Sequence, residues 1–320
     1  MDKDLIRRRA EEYITLEQDE RFSSEVRGLL DKEEWDELGD RFYTDLEFGT
    51  GGLRGVIGGG YNRMNTYVVQ RSTQGLATYV SKHGSTDGDG RASAVIAYDS
   101  RRFSDHFALQ AALVFAANGI RAYLFSSLRP TPELSFAVRE LGASTGIVCT
   151  ASHNPPQYNG YKVYWDDGAQ IVAPHDKAII EEVGNVGSTI RRISQKDAED
   201  AGLLVLIDEE IDAKYVQMVK ETSVRPELLK QHGTELEVVY TPLHGTGAYL
   251  VERALRDLGI EVTTVPEQRE PDGEFPTVES PNPEEAAALE MALDLGRKTN
   301  ADIVMGSDPD SDRLGIADLP

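Results

Sequence analysis

The chain has 320 residues, 40% apolar and 28% charged, enough for a sizeable core and against global disorder. Aspartate and glutamate outnumber lysine and arginine by 55 to 33, and the net charge of −22 disfavours nucleic acid and anionic membrane as partners. The single cysteine, Cys149, excludes an intrachain disulfide and a cysteine-based zinc cluster. A small phosphorylated ligand stays admissible, because it needs only local cations or a metal. No run of about eighteen apolar residues occurs, and Met1-Asp2-Lys3-Asp4 carries no apolar signal core, so a cytoplasmic protein is expected.

At roughly 100–200 residues per domain, about two domains are expected. Residues 1–47 read as an acidic, amphipathic helical extension, with Leu5, Ile6, Ile14, Leu16, Val26, Leu29, Leu30 and Leu38 near helical spacing. Such a segment either packs on the body or stands as a solvated arm. A glycine-dense run over 49–60 leads into a helix over 66–82. Strands at 94–99, 121–126 and 145–150 then alternate with helices at 105–118 and 132–141. The apolar runs Ala94-Val95-Ile96-Ala97-Tyr98 and Ile147-Val148-Cys149 suit strands buried on both faces of an α/β sheet. A surface loop is expected over 87–91, and polar sequence over 184–206 marks a boundary. The second unit is predicted to hold helices at 211–222, 248–258 and 283–298 and strands at 236–240, 261–265, 303–306 and 314–317. A loop rich in proline and acidic residues fills 266–283. The expected domains are 1–47, 48–205 and 206–320. Strand–helix–strand order occurs in both halves without a fixed-period repeat, and ending directly after a strand is an unusual terminus.

The sharpest chemical signal is Gly306-Ser307-Asp308-Pro309-Asp310-Ser311-Asp312-Arg313, which follows a buried strand. In extended backbone, residues two apart share a side, so Asp308, Asp310 and Asp312 converge. Their mutual repulsion calls for a hard dication with oxygen ligands, Mg2+ before Ca2+. An EF-hand needs Gly at the sixth loop position and Glu at the twelfth, which here are Arg313 and Leu319. A haloacid-dehalogenase-like phosphatase would use Asp308 as nucleophile and Asp310 as acid/base, but its usual Thr or Val stands as Asp312. A solvated acidic turn is the plain alternative.

The second signal is Thr150-Ala151-Ser152-His153-Asn154-Pro155-Pro156, again after a buried strand. A serine hydroxyl needs a base or a cation to become nucleophilic, and no Gly-x-Ser-x-Gly elbow surrounds Ser152. On mechanism alone the segment reads equally as a polar turn, with His153 a structural donor. The third signal, Gly49-Thr50-Gly51-Gly52-Leu53-Arg54-Gly55, lets backbone amides approach an anion that Arg54 can pair with. It is neither a dinucleotide fingerprint nor a P-loop, and by itself it reads as readily as a turn. In Tyr158-Asn159-Gly160-Tyr161-Lys162, a turn runs into a strand, and Lys162 serves as a base only where burial and a dication lower its pKa.

Taken together, these segments resemble the α-D-phosphohexomutase family, the phosphoglucomutases and phosphomannomutases. Thr150 to Pro155 is similar to the phosphoserine loop and Asp308 to Arg313 to the magnesium loop. Pro271-Asp272-Gly273-Glu274-Phe275-Pro276 and Pro281-Asn282-Pro283-Glu284 are similar to a second-domain loop. The resemblance implies two mixed-sheet α/β domains of the phosphohexomutase type behind the helical extension. It implies a phosphoryl group on Ser152 and Mg2+ held by Asp308, Asp310, Asp312 and an oxygen of that phosphate. Arg313 would bind phosphate, Lys162 and Arg54 would serve proton transfer and phosphate contact, and His153 lies beside the serine. The implied reaction interconverts a sugar 1-phosphate and 6-phosphate through a sugar bisphosphate. Glucose is expected before ribose or mannose, because the extension and the Gly-Thr-Gly-Gly-Leu-Arg-Gly form look most like the phosphoglucomutase/phosphopentomutase branch. The family has four domains, so domains III and IV are the expected partners, and 1–320 alone is expected to bind Mg2+ but isomerise poorly. An Mg2+-dependent phosphatase using Asp308 and a non-catalytic sugar-phosphate-binding fragment remain as alternatives.

Overall fold

A computed structural model describes residues 2–49 and 51–318. Three helices come first: α1 (Lys3–Leu16), α2 (Glu20–Asp31) and α3 (Trp35–Phe42). Asp2 and Asp19 accept backbone N–H groups at the starts of the first two, satisfying donors that a helix leaves open. These helices pack on the body rather than standing free. Ile6, Ala10 and Tyr13 form the buried stripe of α1 and join Phe22, Val26, Leu38 and Phe42 in the largest core. Tyr13 meets Phe42, Tyr61 and Tyr67 edge-on, with centroids 5.8, 5.5 and 6.1 Å away. Its hydroxyl donates to Glu17, whose carboxylate also accepts the Tyr67 N–H at 2.9 Å.

The first α/β unit runs through β1 (Leu53–Val56), α4 (Thr66–His83), β2 (Ser93–Tyr98), α5 (Ser104–Ala117), β3 (Arg121–Phe125) and α6 (Thr131–Glu140). It continues with β4 (Thr145–Cys149), β5 (Tyr158–Trp165), α7 (His175–Gly184), α8 (Gln195–Asp200) and β6 (Leu204–Ile207). The sheet order is β1-β5-β4-β2-β3-β6, with β4, β2, β3 and β6 parallel and β5 antiparallel to both β1 and β4. Alternation sets its two faces: Ala94 and Ile96 of β2 enter the core with α4 and α5, Val95 and Ala97 the core with α6.

The second unit holds α9 (Glu209–Glu221), α10 (Pro226–His232), β7 (Glu237–Thr241), α11 (Gly247–Asp257) and β8 (Glu261–Thr264). After α12 (Pro266–Arg269) and α13 (Glu290–Thr299), the hairpin of β9 (Ile303–Ser307) and β10 (Leu314–Asp318) completes a sheet of order β10-β9-β7-β8. Both sheets are mixed, as expected.

Three differences from the sequence expectation have local causes. The helix expected over 283–298 begins at Glu290, because 283–289 is held in turns: Asn282 accepts from the Glu284 and Glu285 N–H groups, and bonds three residues apart follow. The boundary expected at 205/206 falls inside β6, whose short apolar run pairs in parallel with β3 and closes the first sheet. The polar stretch before it conceals α8, a six-residue helix that buries only Ala198.

Arg129, in the loop between β3 and α6, clamps α9 through paired 2.8 Å hydrogen bonds to both Asp212 oxygens. Glu133 of α6 is fully buried beside this pair, its nearer oxygen 3.7 Å from Arg129 Nε. Burial, aided by the Asp212 charge, pushes the Glu133 carboxyl up to about 9. The folded chain thus keeps a proton that the unfolded chain loses between about pH 4.5 and 9, and stability falls as pH rises through that window. Glu133→Gln is expected to flatten this slope, gaining at least about 1 kcal/mol over the parent between pH 5.5 and 8 in urea unfolding; parallel slopes would contradict it. Tyr13→Ala is expected to cost about 3–5 kcal/mol in the same assay, as for other large buried rings.

Candidate functional site

The serine loop leaves β4 at the carboxyl end of the parallel strands, where α/β sheets place their ligands. Ser152 is buried and sits in the left-handed region at φ 52°. Its N–H donates to Thr150 Oγ1 at 2.8 Å, and Thr150 in turn donates to Asp99 Oδ2 at 2.6 Å. Gly160 of β5 permits the strand to pass, since a Cβ there would lie 2.5 Å from the Thr150 carbonyl and 2.8 Å from that of Leu53.

The aspartate loop leaves β9 at the corresponding end of the second sheet. Asp308 and Asp310 are buried and Asp312 is exposed. Asp308 Oδ1 accepts the N–H groups of Asp312 and Arg313 at 3.1 and 3.0 Å, which curls the loop around it. Beneath it runs the loop after β7, where Gly245 is required because a Cβ would lie 2.3 Å from Pro309 Cα. Thr131, at the start of α6, binds Asp310 twice: N–H to its carbonyl at 2.9 Å and hydroxyl to Oδ2 at 2.8 Å. The aspartate loop is thereby docked on the first domain.

The two loops meet. Ser152 Oγ donates to Asp308 Oδ2 at 2.5 Å and lies 3.2 Å from His153 Nδ1. Lys162 Nζ donates to Asp310 at 2.7 Å and Asp312 at 2.9 Å. Arg54, exposed on β1 and opposite Gly160 in the register, donates to the Asn154 side chain at 3.2 Å. Arg313 pairs with Glu284 at 3.0 Å. All eight residues singled out in the sequence thus fall around one junction, with Arg54 and Arg313 on its rim.

Burial is the leading influence on the ionisable groups here. It raises Asp308 to about 8, with the Asp310 charge adding to it. Asp310 is also opposed by burial, yet Lys162 holds it below its ordinary value. Burial alone would lower Lys162, but Asp310 and Asp312 outweigh it and raise the lysine. The lowered lysine pKa expected for a base is therefore not found, because the same carboxylates serve as its counter-ions. His153 is lowered, by burial first and then by Arg313 and Arg54.

The donor set fits a hard dication. One oxygen from each of Asp308, Asp310 and Asp312 lies within 4.8 Å of the others. Asp310 Oδ1 is buried with no hydrogen-bond partner among the described residues, and an all-oxygen set suits Mg2+ or Ca2+ better than a softer ion.

Three contributors were not foreseen. Thr131 carries no sequence signal beyond a helix start. Asp99 and Arg101 had a usable one: two charges spaced by a serine, directly after a buried strand, are hard to place unless paired. Phe275 was noted within a resembling segment, but its seat against Arg101, ring centroid 4.9 Å from the guanidinium carbon, needed the structure.

Comparison with known proteins agrees with this geometry. Residues 45–189 match phosphoglucomutase/phosphomannomutase alpha/beta/alpha domain I, and 213–319 match domain II. The chain is 39% identical over 303 residues to a human phosphopentomutase, covering 92% of this chain and 49% of that protein. It is 38% identical to the Saccharomyces cerevisiae phosphoribomutase (92% and 49% covered) and 35% identical to a Staphylococcus epidermidis phosphoglucomutase (92% and 52%). A crystal structure of a putative phosphomannomutase from Thermus thermophilus superposes with TM-score 0.71 at 28% identity, covering 86% of this chain and 57% of that one. The chain spans about half the length of the curated relatives it matches. No helix among the described residues is long and apolar enough to cross a membrane. With both domain models matched in order and their two loops joined at Ser152 and Asp308, the chain belongs to the phosphoglucomutase/phosphomannomutase family.

Proposed function

We propose that this chain carries the phosphoserine and metal-binding parts of a sugar-phosphate mutase. The observation that carries the reading is the 2.5 Å contact between Ser152 Oγ and Asp308 Oδ2, which joins a candidate phosphoryl carrier on one domain to an oxygen-ligand cluster on the other. A bound dication of the Mg2+ class, held by Asp308, Asp310 and Asp312, supplies neutralisation of phosphoryl oxygen charge, which is most of what this chemistry requires.

The remaining roles belong to the chain's own side chains. Ser152 Oγ carries the phosphoryl group. In transfer its O–P bond breaks, a bond from phosphorus to a sugar hydroxyl oxygen forms, and the hydroxyl proton passes in net to the departing Ser152 oxygen. Lys162 Nζ, a protonated amine beside Asp310 and Asp312, relays it by giving a proton to the departing Ser152 oxygen and recovering one from the sugar hydroxyl. His153 Nδ1 orients the serine hydroxyl, while Arg54 and Arg313 stand at the rim as charge partners for a second phosphate. The second half-reaction returns the sugar's other phosphate to Ser152.

Relatives named for pentose phosphates and for glucose phosphates both align along more than nine-tenths of the chain. We assign the substrate class as a sugar 1-phosphate and its terminal phosphate isomer, with ribose placed beside the expected glucose.

Incubation with Mg2+ and either glucose 1,6-bisphosphate or ribose 1,5-bisphosphate is expected to add one phosphate on Ser152, seen by intact mass and peptide mapping and lost in Ser152→Ala. Phosphate on Asp308 would overturn the reading, and the faster donor identifies the sugar. Asp310→Asn is expected to weaken Mg2+ binding by at least about tenfold in calorimetry, and unchanged affinity would place the metal elsewhere.

A further inference from the structure

We infer that Arg101 is the positioning residue for Ser152, and that the second-domain loop around Phe275 completes its seat. The inference rests on the phosphoserine reading above and adds to it a determinant outside the metal ligands and the partners of the serine hydroxyl. Arg101 is 2% exposed, in the turn between β2 and α5. Its guanidinium donates to four backbone carbonyls of the serine loop and the start of β5: Ser152 at 2.5 Å, Asn154, Pro155 at 2.9 Å and Tyr158 at 3.2 Å. One side chain thus ties together acceptors spread over seven consecutive residues, six in the irregular loop and the last opening β5. Carbonyls in such a loop need partners when buried, and a planar fork with five donors reaches divergent acceptors that a lysine's compact ammonium cannot.

The same residue is held from below and from above. Below, Asp99 accepts from the Arg101 N–H at 3.0 Å and from Ser104 Oγ at 2.7 Å, and its other oxygen takes the Thr150 hydroxyl that in turn receives the Ser152 N–H. The left-handed backbone of Ser152, costly for a residue with a side chain, is therefore gripped at both its N–H and its C=O. Above, the buried ring of Phe275 covers the guanidinium. The Phe275 loop approaches so closely that a Cβ on Gly273 would lie 2.7 Å from the Ser100 carbonyl and 2.9 Å from Arg101 Cα. Arg102 and Glu274 add an ion pair at 3.0 Å on its outer side. Ser152 is thereby placed by a first-domain arginine that the second domain holds down, so the hydroxyl and the aspartates keep register with each other.

The test uses the chain with Mg2+ and glucose 1,6-bisphosphate, comparing the parent with Arg101→Lys, which keeps a cation beside Asp99 but loses the fork. The readouts are amide exchange over 151–158, the rate of Ser152 phosphorylation, Mg2+ affinity and Tm. Expected are exchange at least about tenfold faster in that loop alone and phosphorylation slowed about ten- to a hundredfold, with Mg2+ affinity kept within about threefold. Phe275→Leu, which retains the fork, is expected to shift both loop readouts the same way by less. Parent-like exchange and phosphorylation in Arg101→Lys would overturn the inference, as would losses that merely track global unfolding. Should Arg101→Lys fail to fold, Phe275→Leu decides, and parent-like loop exchange there overturns it. Absence of phosphate on Ser152 of the parent would instead sink the phosphoserine reading, a separate result from an unmoved loop.

Discussion

Three carboxylates gathered within 4.8 Å of one another, two of them out of contact with water, impose the requirement that the domain junction answers. Buried like charges are costly unless paired or shared with a cation. The compensation comes from every side: two amides and the Ser152 hydroxyl on Asp308, and Thr131 and Lys162 on Asp310. Three of these donors, Thr131, Ser152 and Lys162, belong to the first domain while the aspartates belong to the second. The electrostatic problem of one domain is therefore solved by the other, which ties their relative placement to the chemistry.

Two arginines reinforce that junction by different means. Arg129 acts through charge, with both of its paired bonds on Asp212 at the start of α9, the helix that leads into the second unit. Arg101 acts through backbone geometry, converting an irregular loop into a fixed one and presenting its flat face to Phe275. Neither contacts the aspartate cluster by hydrogen bond. Their effect is to leave the small polar groups at the centre little freedom to drift, which positional chemistry such as phosphoryl transfer demands.

Legibility in the sequence followed signal strength. Helices and strands with a continuous buried face, such as α4, α5, β2 and β9, were readable to within a residue or two because period and apolarity agreed. The short or weakly buried ones, α8, α10 and β6, were not, since α8 buries a single residue and α10 none. An alanine-rich stretch before Glu290 looked helical but is governed by Asn282 between two prolines. The extension left two readings open because a spaced apolar stripe is the same whether or not something covers it, and only the ring cluster around Tyr13 decides.

At the site, local sequence narrowed the candidates and the family resemblance supplied the type of chemistry. Asp308, Asp310 and Asp312 in alternation after a strand point to an oxygen-ligand cluster because they are near in the chain, whereas the family rests on the order of motifs along both domains. Of the pairings across more than a hundred positions, only the approach of Ser152 to the aspartates was implied by the resemblance, and the rest were decided by the tertiary structure. Ser152 meets Asp308, Lys162 meets Asp310, and Thr131 holds the aspartate loop from 179 residues away. The state of Lys162 shows why. A lysine on a strand carries no mark of its counter-ions, and whether burial or two carboxylates govern its proton is set by which loop folds against it.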